Sequence, residues 1–439
     1  MLLHEMKLKG LTALLWLGLA ALPLCAQDVT EIMDFEGSGG GLILESPMAL
    51  AVGSNGEVFV AGYASNNVHR IAATGATTVV LGAVGDGVGN TMVGPRGLAL
   101  TASGDLLVVA EFSDNGFAVT PTGVLHVWID GTGDGAGNVL DAPTAVVVDA
   151  VGNRFVAGSG SDNVFRVSAS GQVSEIVDAT GAGGSAVLDR PLALALDAAG
   201  VLYVAGGGSH NVLRVDTAGT ITEIVDATGA GATGPLLEPS ALAVASGAVF
   251  VAGALSDNVL RWDGAGVQSW IASSPTNVLT MPRALAARDG DLFVAGSQSH
   301  TMLRRAVDGS VATLLAPGMG VETPTAILAE PTGTVLVAAF ATANVVRVGT
   351  GRPFLRGDAT GDGAVDIADP VRLLLFSFLG TELPCRDAAD WDDDGIIGIA
   401  DATAALQWLF GPTALPAPLL CASDSTDDSL NCTSAPPCP

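Results

Sequence analysis

The chain has 439 residues, of which 49% are apolar and 14% are charged, and its formal net charge is −27. So acidic a chain repels a phosphate backbone, because proteins bind that backbone through lysine and arginine, and nucleic acid binding is therefore excluded. The length allows two or three domains, or one large repeat domain with an appendage.

The first 26 residues have the pattern of a secretory signal peptide. The apolar stretch GLTALLWLGLAALPLCA follows Lys7 and Lys9 and ends at the small residue Ala26. No later stretch has the run of about 18 apolar residues that a membrane-spanning helix requires. We therefore expect an exported protein, secreted or extracytoplasmic, with no transmembrane segment in the mature chain.

A repeat occupies residues 27–352. Seven prolines open similar units at spacings of 48, 48, 48, 48, 43 and 42 residues, namely Pro47, Pro95, Pro143, Pro191, Pro239, Pro282 and Pro324. Each unit holds short apolar runs separated by Gly, Asn, Asp and Ser, which is the pattern of antiparallel strands. In the fourth unit the predicted strands lie near Leu194–Leu196, Leu202–Ala205, Val212–Val215 and Ile221–Val225.

Four-stranded units repeated radially are the blades of a β-propeller. The last unit supplies only three strands, and the N-terminal VTEIMD, residues 29–34, copies VSEIVD and ITEIVD from the fourth-strand position of other units. We predict an all-β, seven-bladed propeller in which this N-terminal strand closes the last blade and hides its sheet edge, with six blades as the alternative.

The repeat pattern PxALAVDxxGxVFVAGxxSxNVxRV resembles the NHL-type and related propeller repeats over about residues 29 to 350. The resemblance implies a six- or seven-bladed propeller. In this chain Gly62, Gly158, Gly206, Gly253 and Gly296 stand where many family members have an acidic residue.

Residues that recur in register in several units are interpreted as architectural. An Asn before the third strand, as at Asn67, can satisfy turn backbone groups. Glu31, Glu175 and Glu223 hold equivalent fourth-strand positions. An arginine follows three residues after five of these Asn positions, and Arg304 follows three residues after Thr301. These arginines are either paired or solvated strand-end charges, which we favour, or a basic ring.

The candidates for catalysis are residues that do not recur. Glu111 and His126 belong to the second unit, and His210 and His300 share a loop column in two others. A mixed Glu and His set could bind a divalent metal for lactone hydrolysis or a lyase reaction, as in the lactonase and streptogramin-lyase propellers that the repeats resemble. Loop residues at the rim are the interpretation that we favour.

Two acidic loops follow the repeats, and both have the spacing of a calcium-binding helix–loop–helix. The first places Asp358, Thr360, Asp362, the Ala364 carbonyl, Asp366 and Asp369 at loop positions 1, 3, 5, 7, 9 and 12, with Gly363 at position 6. The second places Asp390, Asp392, Asp394, the Ile396 carbonyl and Asp401, with Gly395 at its turn. Since a calcium ion collects six to eight oxygen ligands, we predict two bound ions.

This duplicated unit of loop and apolar helix resembles a type I dockerin over residues 356 to about 411, within a predicted domain 353–412. The resemblance implies binding to a cohesin-like module, by which secreted proteins, often polysaccharide-degrading enzymes, are attached to scaffolds. Loop positions 10 and 11 are Ile367–Ala368 and Ile399–Ala400, where many dockerins have a Ser/Thr pair for recognition.

The mature chain keeps four cysteines: Cys385, Cys421, Cys432 and Cys438. An even, clustered set in an exported protein indicates two disulfides, whose pairing the sequence leaves open. Residues 413–439 form a tail that contains three of the four.

Taken together, these patterns predict a secreted, non-enzymatic binding or scaffold protein. Its propeller would bind an unidentified ligand on the rim, and its calcium-binding, dockerin-like module would attach it to a protein partner. The alternative is an extracellular propeller enzyme, either lyase- or lactonase-like or polysaccharide-degrading, that the module delivers.

Overall fold

The computed structural model describes residues 29–411, apart from residues 40, 232–233, 331–332, 350–354, 363 and 393. The predicted signal peptide and the tail 413–439, with three of the four cysteines, lie outside the described residues. The described chain divides into two compact units, residues 29–349 and 355–411. Within the described ranges, no helix is long and apolar enough to cross a membrane.

The first unit holds 28 strands, and β1 (Val29–Met33) comes first. Blade 1 has β2 (Pro47–Val52), β3 (Val58–Gly62), β4 (Asn67–Ile71) and β5 (Thr77–Leu81). Blade 2 has β6 (Pro95–Leu100), β7 (Leu106–Ala110), β8 (Asn115–Val119) and β9 (Leu125–Ile129). Blade 3 has β10 (Pro143–Val148), β11 (Arg154–Gly158), β12 (Asn163–Val167) and β13 (Val173–Val177). Blade 4 has β14 (Pro191–Leu196), β15 (Leu202–Gly206), β16 (Asn211–Val215) and β17 (Ile221–Val225).

The remaining blades follow the same plan. Blade 5 has β18 (Pro239–Ala245), β19 (Ala248–Gly253), β20 (Asn258–Trp262) and β21 (Val267–Ala272). Blade 6 has β22 (Pro282–Arg288), β23 (Asp291–Gly296), β24 (Thr301–Arg305) and β25 (Val311–Leu315). Blade 7 has β26 (Pro324–Ala329), β27 (Thr334–Ala339) and β28 (Asn344–Gly349).

The N-terminal strand closes the ring. β1 pairs antiparallel with β28, with Val29 opposite Val348, so the seventh sheet has the order β1-β28-β27-β26. The other six sheets each contain four consecutive strands. The prediction of a seven-bladed propeller closed by its N-terminal strand is therefore confirmed, and the six-bladed alternative is wrong.

The hydrophobic core lies between neighbouring blades. One cluster joins Leu107 and Val109 of blade 2 to Val146 and Val156 of blade 3. The second strand of blade 2, β7, is buried along its whole length. A sheet covered on both faces has no need of alternating polar residues, which explains the apolar composition of the repeats.

The first strands of neighbouring blades pack against each other, so they surround the axis of the ring. Because each sheet is antiparallel, the loops before the first strands and the loops between the second and third strands share one end, which we call the top face. The loops between first and second strands and between third and fourth strands form the bottom face. Counting only their described residues, the top-face loops are 34–46, 82–94, 130–142, 178–190, 226–238, 273–281 and 316–323, with 63–66, 111–114, 159–162, 207–210, 254–257, 297–300 and 340–343.

The recurring polar residues hydrogen-bond within a blade and to the loop that leads into it. Asn163 Nδ2 donates a hydrogen bond to the Val139 carbonyl at 3.0 Å and another to Glu175 Oε1 at 3.0 Å. In blade 7, Asn344 Nδ2 reaches Glu31 Oε1 at 2.9 Å, so the closing strand also supplies the carboxylate of this pair. The architectural interpretation of both columns is confirmed.

The glycine that ends the second strand of five blades has a packing reason. In blade 1 a Cβ on Gly62 would overlap Ser65 Oγ and Asn67 Oδ1, which hydrogen-bond to each other at 2.8 Å. The same overlap with a Ser and an Asn recurs at Gly158 and Gly206. An acidic side chain does not fit there.

The second unit contains three helices, α1 (Ala368–Leu379), α2 (Arg386–Ala389) and α3 (Ile399–Phe410). Its core is small and consists of Ala359, Leu373, Leu383, Ala389 and Ala402. Both long helices begin at the end of an acidic loop, as the sequence predicts.

Candidate calcium loops and the top face of the propeller

The first acidic loop curls around its buried carboxylates. Asp358 Oδ1 accepts hydrogen bonds from the backbone N–H groups of Gly361 at 2.7 Å and Asp362 at 3.0 Å. From the far end of the loop, Asp369 Oδ1 accepts from both the backbone N–H and the hydroxyl of Thr360, each at 3.0 Å. Loop positions 1, 3 and 12 are thus brought together.

The remaining members of this loop are fixed by local bonds. Asp362 Oδ1 accepts from Ala364 N–H at 3.0 Å, and Asp366 Oδ1 accepts from Ala368 N–H at 2.7 Å. Asp369 Oδ2 also accepts from Asp366 N–H at 2.8 Å, which ties position 9 to position 12. Gly363 lies outside the described residues.

The second loop repeats the arrangement with closer carboxylates. One ligand oxygen from each of Asp390, Asp392 and Asp394 lies within 4.8 Å of the others. Asp401, at position 12, accepts from the N–H groups of Trp391 and Gly398, each at 2.7 Å. All of these side-chain ligands are oxygens, which suits a hard divalent cation such as calcium.

The Ile396 carbonyl stands at position 7, directly after the turn. Ile396 N–H donates to Asp394 Oδ1 at 2.8 Å, and Gly395 N–H donates to Asp390 Oδ2 at 2.7 Å. The Ile396 bond has a counterpart in the first loop, where the N–H of Ala364, the equivalent residue, donates to Asp362 Oδ1.

The protein gathers negative charge in both loops. Burial raises the pKa of Asp369, and the Asp358 carboxylate raises it further. Burial likewise raises the pKa of Asp401 and of Asp392, with the neighbouring carboxylates of the second loop acting in the same direction. A cation among these groups would relieve both effects, because opposite charge favours the ionised form.

The two loops are joined by an arginine that the loop spacing does not reveal. Arg356 is almost fully buried, at 1% exposure, and its Nη1 donates to the Asp390 backbone carbonyl at 2.6 Å. Next to it, Gly357 N–H donates to the Ala388 carbonyl at 2.7 Å. Arg356, two residues before the first position of loop 1, is therefore bonded to the first residue of loop 2.

In the propeller, Glu111 lies on the top face with both carboxylate oxygens engaged. Arg96 Nη1 donates to Oε1 at 2.7 Å, and the Tyr63 hydroxyl donates to Oε2 at 2.9 Å. Burial raises the pKa of Tyr63 to about 12, and the hydrogen bond to Glu111 and that residue's charge add to the effect. This geometry positions Glu111 as an ion-pair partner.

His126 does not approach Glu111. It lies on β9, the outermost strand of blade 2, opposite Ala118, which stands in turn opposite Leu107. Glu111 comes four residues after Leu107, so the two side chains are separated by roughly 13 Å along the strands, at about 3.3 Å per residue, and by two strand spacings across the sheet. A shared metal between them is excluded in this structure.

The other two candidate histidines serve the joints between blades. His210 Nδ1 accepts a hydrogen bond from Glu238 N–H at 3.0 Å, and His300 Nδ1 accepts from Thr323 N–H at 2.8 Å. Each bond links a loop of one blade to the residue before the first strand of the next. These contacts support the interpretation that we favoured, in which both are loop residues.

The recurring arginines are mostly paired with acids of their own blade. Arg304 Nε donates to Asp291 Oδ2 at 2.7 Å, and Arg347 Nε donates to Glu330 Oε2 at 2.7 Å. Arg261 makes a similar contact with Asp263 at 2.6 Å. They lie towards the bottom face and do not form a free basic ring.

The fold and the loops define a seven-bladed β-propeller followed by a small helical unit with two acidic loops. No protein-family model matches the sequence, and no curated protein matches it. Solved structures with a similar fold include virginiamycin B lyase from Staphylococcus aureus, with 14% identity over 74% of this chain and 99% of that one and a TM-score of 0.59.

Two further structures share the fold. A streptogramin B lyase has 13% identity over 73% of this chain and 97% of that one, with a TM-score of 0.58. Hydrazine synthase from Kuenenia stuttgartiensis has 15% identity over 70% of this chain and 96% of that one, with a TM-score of 0.55. At this level of identity the likeness establishes the propeller fold alone.

Proposed function

We propose that this chain is an extracytoplasmic, non-enzymatic binding protein whose helical unit folds around two calcium ions and attaches it to a protein partner. The observation that carries the proposal is the convergence of acidic side chains in two equivalent loops, with Asp358, Asp369, Asp390 and Asp401 buried. Burying that many carboxylates is costly unless a cation compensates them.

Exposed apolar side chains near the end of each loop support attachment to a protein. Ile367 and Ile399, at position 10 of the two loops, are 50% and 51% exposed. On α1, Val371, Leu375 and Phe378 continue the exposed apolar surface at helical spacing. An exposed apolar helix face of this kind suits a protein interface, and a cohesin-like module is the partner that the dockerin resemblance implies.

The enzymatic alternative finds less support in the geometry. A lyase or lactonase site built on Glu111 and His126 would need the two side chains near one substrate, whereas they lie at different ends of blade 2. Glu111 is also already bonded through both oxygens. We therefore propose binding as the role of the propeller.

Calcium titration of the full chain tests this proposal. Isothermal titration calorimetry of EDTA-treated protein should show about two ions bound per chain, because each loop supplies its own set of oxygen ligands. Asp392→Ala should remove one of the two, since Asp392 is one of the three carboxylates that converge in loop 2. Unfolding of the helical unit should move to higher temperature with calcium, as binding to the folded state alone requires.

Glu382→Gln is the matched control, because Glu382 is an exposed acid of the same unit outside both loops. Its stoichiometry should equal that of the wild type. Absence of calcium binding by the wild type would contradict the proposal. Equal losses of calcium affinity in the Asp392→Ala and Glu382→Gln variants would also contradict it. Capture of a cohesin-like module in calcium and not in EDTA would test the attachment itself.

A further inference from the structure

The exposed apolar side chains of the propeller are concentrated on its top face. Of the thirteen large apolar side chains that are strongly exposed among the described residues 29–349, ten belong to the top-face loops. Only Val124, Val151 and Val307 lie on the bottom face. Large apolar surface that stays exposed on one side of a domain marks an interaction surface.

All the Phe, Tyr and Trp residues of the top-face loops fall in one sector. Phe340 belongs to blade 7, Phe35 to the linker from β1 into blade 1, Tyr63 to blade 1 and Phe112 to blade 2. We call these four residues the aromatic sector. Blades 3 to 6 contribute no Phe, Tyr or Trp to the loops of this face.

The three blades of the aromatic sector are in direct contact. The rings of Tyr63 and Phe112 have centroids 5.6 Å apart at an interplanar angle of 52°. On the other side, Thr325 Oγ1 of blade 7 donates to the Pro47 carbonyl of blade 1 at 2.6 Å. Phe112 is 65% exposed and Phe340 is 39% exposed, so their rings are available to a ligand.

The charge around the aromatic sector has one sign. The six loops that surround it, 34–46, 63–66, 82–94, 111–114, 316–323 and 340–343, contain seven Asp or Glu and no Lys or Arg. The nearby Arg96 is paired with Glu111. In contrast, nine of the twelve arginines between residues 29 and 349 lie towards the bottom face.

Exposed aromatic rings within an acidic field favour cations with apolar stems. The ring face attracts a lysine or arginine head group, and the carboxylates add attraction at longer range. Lysine and arginine also cover apolar surface with their methylene stems. A surface spanning three blades is too broad for a single small ion.

We propose that the aromatic sector binds a lysine- or arginine-bearing segment of a partner protein. This proposal rests on the proposed function, in which the propeller is a binding module, and names the chemistry of its ligand. The carboxylates of the six surrounding loops steer the cationic segment towards the face, and Phe112 and Phe340 contact its side chains.

Fluorescence anisotropy with labelled peptides and the full, calcium-loaded chain tests the proposal. The probe is a short flexible peptide with lysine and leucine spaced by glycine and serine, and its counterpart has glutamate in place of lysine. The lysine peptide should bind and the glutamate peptide should not. Binding should weaken as ionic strength rises, because salt screens exposed charges.

Phe112→Ser and Phe340→Ser should each weaken binding of the lysine peptide roughly fivefold, the value for loss of one exposed cation–π contact. Val151→Ser on the bottom face and Val187→Ser on the top face outside the sector are matched controls and should leave the affinity unchanged. Equal binding of both peptides, or equal effects of Phe112→Ser and Val187→Ser, overturns the proposal.

The two proposals fail separately. If the chain binds two calcium ions and captures a partner through its helical unit while the lysine peptide does not bind, the aromatic sector is wrongly assigned and the proposed attachment stands. If the lysine peptide binds with the expected variant pattern while calcium does not bind, the assignment of the acidic loops is wrong.

Discussion

Neighbouring blades of the propeller meet at seven joints, and one joint lacks the side-chain hydrogen-bond acceptor that the other six have. At six joints, a residue in the left-handed backbone region accepts a hydrogen bond from the residue before the next first strand. Asp162 Oδ1, for example, accepts from Arg190 N–H at 2.8 Å, and Asn66 Oδ1 accepts from Gly94 N–H at 2.8 Å. At the seventh joint this position is Ala343, whose methyl group cannot accept a hydrogen bond.

We expect Ala343→Asn to stabilise the propeller. Ala343 has φ 52°, close to the 53° of Asn66, and asparagine tolerates this conformation better than alanine. One added hydrogen bond contributes about 0.5–1.5 kcal/mol. Because this joint connects blade 7 to blade 1, the added hydrogen bond should stabilise the closure of the ring.

Urea unfolding followed by tryptophan fluorescence measures the effect. The midpoint should rise with an unchanged slope, which indicates a change in stability and not in the surface exposed on unfolding. Ala341→Asn, in the same loop and outside the joint, should leave the midpoint unchanged. An Ala343→Asn midpoint equal to that of the wild type would refute the argument that the side-chain acceptor stabilises the joints.

Three further outcomes are expected. Burial lowers the pKa of His69 below 6.5, so the unfolded chain takes up a proton more readily than the folded chain as the pH falls. The contribution of His69 to stability should therefore be fully present above pH 6.5 and decrease below it. His69→Leu should flatten this pH dependence in urea unfolding measured across pH. Glu31→Ala should cost about 1–3 kcal/mol in urea unfolding, because Asn344 loses its buried acceptor, while Glu31→Gln should cost less. Arg356→Met should weaken calcium binding at the second loop in calorimetry, since it removes the bond to the Asp390 carbonyl.

The architecture of the propeller could be predicted because the sequence contains seven copies of the same unit. A single copy of VTEIMD at residues 29–34 would have been an ordinary strand. Its match to VSEIVD and ITEIVD places it at the fourth-strand position, and the pairing of β1 with β28 confirms this. The two acidic loops could be aligned for the same reason, because their spacing repeats.

What could not be predicted depends on contacts between distant residues. No local pattern shows that Arg356 is buried, because its partner is the backbone carbonyl of Asp390, 34 residues away. His210 and His300 stand out from the sequence as possible metal ligands. Their use as acceptors at the joints becomes clear only from the neighbouring blade.

The departures from the repeat are more informative than its agreements, and several of them meet where the chain closes on itself. His69 stands in a column that holds Phe117 in blade 2 and Leu213 in blade 4, and Ser38 of the closing linker bonds to its ring at 2.8 Å. Ala343 and the exposed Phe340 belong to blade 7, and Tyr63 belongs to blade 1. Blades 3 to 6 need only pack between equivalent neighbours, whereas blades 7 and 1 also accommodate the N-terminal strand and its linker. This asymmetry gives an otherwise repetitive ring one distinct surface, which is the physical reason to look for its ligand there.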